Sequence, residues 1–315
     1  MNSLNALKRG AAGALVLLAT QACIDKSGTD NKLVPTPGPV VEPRVVGQFA
    51  ATDWQLVYPT RLAMVGDTLF VSDPKANKVM GYNQGVADTT LAGLDQPLGV
   101  AVYGDLLYVG NAGRKDVEVY SITEKKYLRS LGGVGAFELP NSIAVAPNGL
   151  VYVADSKRDV VKVFDANGNL VNTIGGTGTV EGQFRFPNSV AVNANLLAVA
   201  DRDNHRVQLF NTNGSFVRSF GSIATGGLSA ADFRGKFTSI GAVEFDRNEL
   251  LVLDSANASV QVFNLDGVYR GTFGYAGDCA NCSRMPLDIA VDAQGGVLAT
   301  DPENRRLIAV ATEMR

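Results

Sequence analysis

The stretch VYVADSKRDVVKVF, Val151–Phe164, decides the fold. A short apolar run ends in Asp155, a polar turn follows, and a second apolar run answers it. Both runs are rich in Val and too short for helices, so they read as the arms of a β-hairpin. The same phrase occurs five more times: LFVSDPKANKVMGY (Leu69–Tyr82), LYVGNAGRKDVEVY (Leu107–Tyr120), LAVADRDNHRVQLF (Leu197–Phe210), LLVLDSANASVQVF (Leu250–Phe263) and VLATDPENRRLIAV (Val297–Val310). The acids are Asp73, Asp155, Asp201, Asp254 and Asp301, with Asn111 standing in once. Their separations are 38, 44, 46, 53 and 47 residues, a blade-length repeat of short strands.

Each phrase is flanked by two more expected strands. Ahead of it lie RLAM (Arg61–Met64), GVAV (Gly99–Val102), SIAV (Ser142–Val145), SVAV (Ser189–Val192), IGAV (Ile240–Val243) and DIAV (Asp288–Val291). Pro59, Pro97, Pro140, Pro187 and Pro286 precede five of these, as suits a strand entry that needs no ladder donor. The recurring Ala lets the innermost strands crowd the axis. Behind the phrases, Leu91, Leu131, Ile174, Phe220 and Phe273 anchor fourth strands. The sixth copy lacks one, but RVVGQFA (Arg44–Ala50) matches VYRGTFG (Val268–Gly274). The expected fold is all-β: a six-bladed β-propeller of four-stranded antiparallel blades, the last blade closed by the N-terminal strand.

The chain has 315 residues, 46% hydrophobic and 19% charged, with 31 acids against 28 Lys plus Arg. That balance argues against nucleic acid as a partner. Residues 1–22 read as an export signal: Lys8 and Arg9 lead the apolar Gly10–Thr20. Cys23 follows, and here the chain resembles a bacterial lipoprotein precursor with a lipidated first cysteine. Thr20 and Gln21 depart from that pattern's usual Leu and Ala or Ser. Residues 23–43 are polar and Pro-rich, a tether, and the propeller is expected over 44–315. Ile24, which is not Asp, resembles outer-membrane sorting. The expected location is the bacterial cell envelope, as an outer-membrane-anchored lipoprotein facing periplasm or surface.

The turns DANGN, NTNGS and NLDGV, the lead-in GQFRFP (Gly182–Pro187) and DNHRVQLF (Asp203–Phe210) resemble the NHL repeat family. The resemblance spans about 44–315 and implies six blades. Blades three to five match best.

No catalytic set emerges. The repeated Asp is expected to be structural, accepting hydrogen bonds from the backbone N–H groups that follow it. His205 is the sole histidine and belongs to the repeat, which excludes a multi-histidine metal site. Neither metal nor cofactor is expected. Cys279 and Cys282 form C-x-x-C, but Ser283 stands where haem attachment needs His, and zinc lacks two further ligands. A structural disulfide is expected.

Three connections are long, Gly175–Arg185, Gly221–Lys236 and Gly274–Met285, and elaborated loops on a rigid base are where binding residues collect. The candidate binding face comprises Trp54, Arg61, Asn141, Asn188, Arg234, Arg284 and Asp288. Arg61 and Asp288 fall at equivalent positions of neighbouring blades, either as a ligand-facing pair or as a neutralised structural one. The expected function is a non-enzymatic exported scaffold that binds an envelope protein, or a small ligand, through its looped face, with the lipid as its membrane contact. Two alternatives stand beside it: a lactonase- or lyase-type propeller enzyme with an axial acid–Asn site, and a sensor of sugars or cell-wall fragments.

Overall fold

The structure is a computed structural model, and it describes residues 55–83, 85–224, 233–274, 285–293 and 295–310. Those residues form a six-bladed β-propeller of antiparallel blades. Blade 1 is β1 (Arg61–Val65), β2 (Thr68–Asp73), β3 (Lys78–Asn83) and β4 (Val86–Leu91). Blade 2 is β5 (Pro97–Tyr103), β6 (Leu106–Asn111), β7 (Asp116–Ser121) and β8 (Lys126–Leu131). Blade 3 is β9 (Pro140–Val145), β10 (Val151–Asp155), β11 (Val160–Phe164) and β12 (Leu170–Gly175). Blade 4 is β13 (Pro187–Val192), β14 (Leu196–Asp201), β15 (Arg206–Asn211) and β16 (Phe216–Phe220). Blade 5 is β17 (Ile240–Asp246), β18 (Glu249–Asp254), β19 (Ser259–Asn264) and β20 (Tyr269–Phe273). Blade 6 shows β21 (Ile289–Val291), β22 (Val297–Asp301) and β23 (Arg306–Val310). Each sheet is a meander in chain order.

The leader, the tether and the expected closing strand Arg44–Ala50 lie outside the described residues, as do Cys23, Trp54, Cys279, Cys282 and Arg284. Closure is open to a direct test. Deleting 44–50 is expected to lower stability by at least about 3–5 kcal/mol, the worth of one buried Phe, whereas deleting 24–43 leaves it unchanged. Equal melting temperatures for the two truncations would count against closure by this strand.

The core lies between blades, because each sheet buries its apolar face on the next. Val161, Val163 and Ile174 of blade 3 pack with Val190, Leu197 and Val199 of blade 4. Aromatic residues that end third strands are covered by aromatics from the lead-in loops. Phe164 meets Phe137, Phe210 meets Phe184 and Phe263 meets Phe237, with centroids 5.7, 5.7 and 5.9 Å apart. The Phe184–Phe210 pair is edge-to-face and the other two are tilted, and such contacts add to area burial.

The repeated acids are fully buried, and their donors differ from the expected ones. Most lie upstream, in the loop that leads into the same blade. Asp73 accepts from the Val57 and Tyr58 N–H groups at 2.6 and 3.1 Å. Asp155 takes those of Glu138 and Leu139, Asp201 that of Arg185, and Asp254 those of Thr238 and Ser239. Downstream donation also occurs, from Ala76 N–H to Asp73 and from the Asn204, Asn257 and Asn304 amides. Asp73, Asp155, Asp201 and Asp254 therefore each clamp the entry loop onto the strand pair, a long-range tie rather than a local turn.

Blade 2 solves the same problem differently. Asn111 accepts from Asp95 N–H and donates to Glu118, which also takes Arg114 and the Tyr120 hydroxyl. Burial and Glu118 push the neighbouring Asp116 carboxyl up, and one of its oxygens is buried without a hydrogen bond.

His205 sits at a left-handed turn, φ 53°, shared by Asn77, Lys115, Asp159, Ala258 and Arg305 at equivalent places. Its position thus serves backbone geometry in every blade.

Candidate functional site

The six inner strands meet at the axis in stacked rings. Register fixes which residues are equivalent. Leu62, Val100, Ile143, Val190, Val243 and Ile289 form one ring, paired with Val71, Val109, Val153, Val199, Val252 and Ala299. One step toward the looped face lie Arg61, Ser142, Ser189, Ala242 and Asp288. Three backbone N–H groups of the apolar ring are received by side chains of the adjoining blade. Val190 N–H donates to Ser142 Oγ at 3.1 Å, Val243 N–H to Ser189 Oγ at 3.2 Å and Leu62 N–H to Asp288 Oδ2 at 2.8 Å.

Arg61 closes the looped end of this axis. Its guanidinium is buried and reaches the carbonyl oxygens of Asn141, Asn188, Gly241 and Leu287 at 3.1, 2.6, 3.1 and 3.2 Å. These four are the same residue in blades 3, 4, 5 and 6, the one just before the polar ring. Nη1 also lies 3.2 Å from Asp288 Oδ1. Asn141 Nδ2 donates to Asn188 Oδ1 at 2.7 Å, and Asn188 Nδ2 to Gly241 O at 2.6 Å. Four of the sequence-expected residues, Arg61, Asn141, Asn188 and Asp288, are therefore brought together, and they bond to one another and to the carbonyl ring. Burial pushes the Asp288 carboxyl up, and the Arg61 charge opposes that.

Register also corrects the sequence alignment. In blade 5 the equivalent of SIAV is Ala242–Phe245, two residues beyond IGAV, because Ile240 pairs with Asp254 as Pro140 and Pro187 pair with Asp155 and Asp201. The Ala ring is then Ala63, Ala101, Ala144, Ala191 and Ala290, with Glu244 in the sixth place. Glu244 borders a cavity of about 30 Å³, which Arg61, Ser142, Ser189 and Asp288 also line. That is room for about one water molecule. Glu244 is half-buried where it lines this cavity. Burial first, and then the Asp288 charge, push it up to about 8. No group of three or more His, Cys, Asp or Glu side chains suited to a metal occurs among the described residues.

The looped face is different in character. Five lead-in loops each present an exposed apolar side chain: Val57, Val134, Val180, Ile223 and Met285. Val134 is 85% exposed and Val180 62%, although their loops are otherwise pinned. In the Val180 loop, Arg206 donates to Val180 O and Gln183 O, and Gln208 holds Gly182 and Gln183. Exposed Lys75, Lys157, Arg185 and Arg234 share the face with exposed Glu181, Asp203 and Glu303. Arg234 is the one sequence-expected residue seen there. The apolar set was missed because isolated loop residues carry no periodicity.

Six blades around an arginine-plugged axis define a β-propeller. The NHL repeat model matches residues 184–210, within the fourth blade of the six-bladed propeller. The chain is 29% identical over 133 residues, 42% of its length, to the protein brain tumor of Drosophila melanogaster, covering 12% of that protein. It is 33% identical over 156 residues to a probable peptidyl-alpha-hydroxyglycine alpha-amidating lyase of Caenorhabditis elegans, covering 44% of each. The chain thus spans less than half of either curated relative. Two solved structures share the fold, each with a TM-score of 0.59. They are hydrazine synthase of Kuenenia stuttgartiensis (16% identity, 86% of this chain and 99% of that one) and virginiamycin B lyase of Staphylococcus aureus (11%, 82% and 86%).

Proposed function

We propose that this propeller is a binding scaffold that docks a protein partner on its looped face. The apolar set Val57, Val134, Val180, Ile223 and Met285 carries the proposal, because five connections on one face each leave an apolar side chain in water. Propellers of this family commonly bind proteins, which supports the assignment. Trp54, Arg234 and Arg284 are the residue types that anchor interfaces. Export, a lipid on Cys23, a Cys279–Cys282 disulfide and an envelope partner are parts of the same proposal.

The test is crosslinking in the exporting cell, followed by affinity measurement on the purified pair. Val134→Asp with Val180→Asp is expected to weaken binding at least tenfold at unchanged melting temperature. Trp54→Ala, Arg234→Ala and Arg284→Ala together should do the same. Unchanged affinity in both would refute docking at this face. In the same cells Cys23→Ser should move the protein from membrane to soluble fractions.

A second reading, a lactonase- or lyase-type enzyme, is favoured by the likeness to the amidating lyase and by the axial acids Glu244 and Asp288. Turnover that Asp288→Ala abolishes would establish it. Against it, the Arg61 donors are engaged with the carbonyl ring, and the axial cavity has the volume of about one water.

A further inference from the structure

Glu244 breaks a ring that is alanine everywhere else, and it does so beside the single plug of the axis. An acid lining the axial cavity, where five equivalent blades carry a methyl group, departs from the repeat and so marks a functional candidate. Its neighbours are few and known. Asp288 faces it from the entry to β21, Arg61 from β1, and Asp246 lies on its own strand. The strands β5, β9 and β13 bring only uncharged residues to the cavity: Val100, Ser142, Ile143, Ser189 and Val190. One arginine thus answers for two axial carboxyls.

With Glu244 protonated, Arg61 needs to balance Asp288 alone and can spend its remaining donors on the four carbonyls. With Glu244 ionised, two negative charges flank the cavity, and Arg61 is the one cation lining it. Attraction between unit charges in so enclosed a place far exceeds that of a hydrogen bond to a neutral carbonyl. We propose that Glu244 is a proton-operated latch: loss of its proton draws the Arg61 guanidinium off the carbonyl ring into the cavity and unplugs the looped end of the axis.

The sign of the linked stability follows from the direction of the shift. The folded state holds the Glu244 proton up to about pH 8, whereas an unfolded glutamate releases it near the ordinary carboxyl value. The folded state therefore binds more protons between the two, and stability falls as pH rises through that window. Above the folded value the loss is complete.

Three proteins test the latch: wild type, Glu244→Gln and Glu244→Ala, the last copying the other five blades. Denaturation across roughly pH 5 to 8 should show the wild-type folded-to-unfolded ratio falling up to about tenfold per pH unit relative to Glu244→Gln. Nitrogen-15 spectra of the arginine side chains report the plug itself. In wild type, Arg61 guanidinium protons are expected to exchange with water at least about tenfold faster above pH 8 than below pH 7, with no such step in either variant. Crystals grown at about pH 6 and about pH 9.5 should show Arg61 on the carbonyls and then on Glu244. A stability profile shared by wild type and Glu244→Gln would overturn the titration. An Arg61 that stays on the carbonyl ring while Glu244 is ionised would overturn the latch. An exchange step that persists in both variants would assign it to another group and overturn the latch as well.

Discussion

Asp201→Ala is expected to cost about 3–5 kcal/mol, because it strands a buried cation and several donors at once. Asp201 is fully buried. It accepts Arg185 N–H and Arg206 Nε, both at 2.7 Å, together with the Asn204 and Gln208 side-chain amides. Removing the carboxylate leaves Arg206 without its counter-charge and frees the lead-in loop that Arg206 and Gln208 also hold. Asp201→Asn keeps one acceptor and should cost roughly half as much. Blade 2 tolerates Asn111 at this place because Glu118 supplies the missing negative charge beside it. Urea midpoints at constant slope check both figures. An Asp201→Ala loss below about 1 kcal/mol would show that the clamp is dispensable.

Arg61→Met should be as damaging, about 3–5 kcal/mol, by the same physics at a different place. The substitution takes the guanidinium from four inward-facing carbonyls, of which Gly241 O keeps Asn188 Nδ2 and Asn188 O keeps Asn141 Nδ2, and leaves Asp288 buried without its cation. The Asp288 carboxyl, already pushed up by burial, should rise further and favour its neutral form. The double variant Arg61→Met with Asp288→Asn should then be more stable than Arg61→Met alone, since it removes the orphaned charge. A double-mutant cycle measures this. Strict additivity of the two changes would mean that the pair at 3.2 Å contributes nothing as a pair.

Much of the architecture was legible because a hairpin phrase repeated with its acid is a local signal. The strand order, the meander and the blade count follow from copies of one pattern. The partners of the repeated Asp were not legible. Their donors sit about 16 residues upstream in loops without periodicity, whereas a following N–H was the local guess. Glu244 was hidden by a more specific trap. IGAV imitates SIAV, and the true equivalent lies two residues on. A shift of two preserves which side chains face inward, so alternation cannot expose the error. Only the pairing of Val243 with Val252 fixes the register. Arg61 and Asp288 were singled out as equivalent positions on neighbouring blades. That the carbonyls of four blades converge on one guanidinium is a property of ring closure, which no single blade's sequence carries.

The plug also bears on how the chain comes together in time. Arg61 belongs to the first strand of blade 1, yet its partners lie 80, 127, 180, 226 and 227 residues later. During synthesis the guanidinium emerges long before anything it can bond, and it stays hydrated until blades 3 to 6 exist. Each blade can form its own hairpins early, but the axial contacts cannot accumulate one repeat at a time as they do in an open solenoid. The slow event is then the final convergence of distant parts of the chain, as expected for a topology of high contact order. Once that convergence occurs, one side chain couples five blades, so the repeats lose their independence and unfold as a single cooperative body.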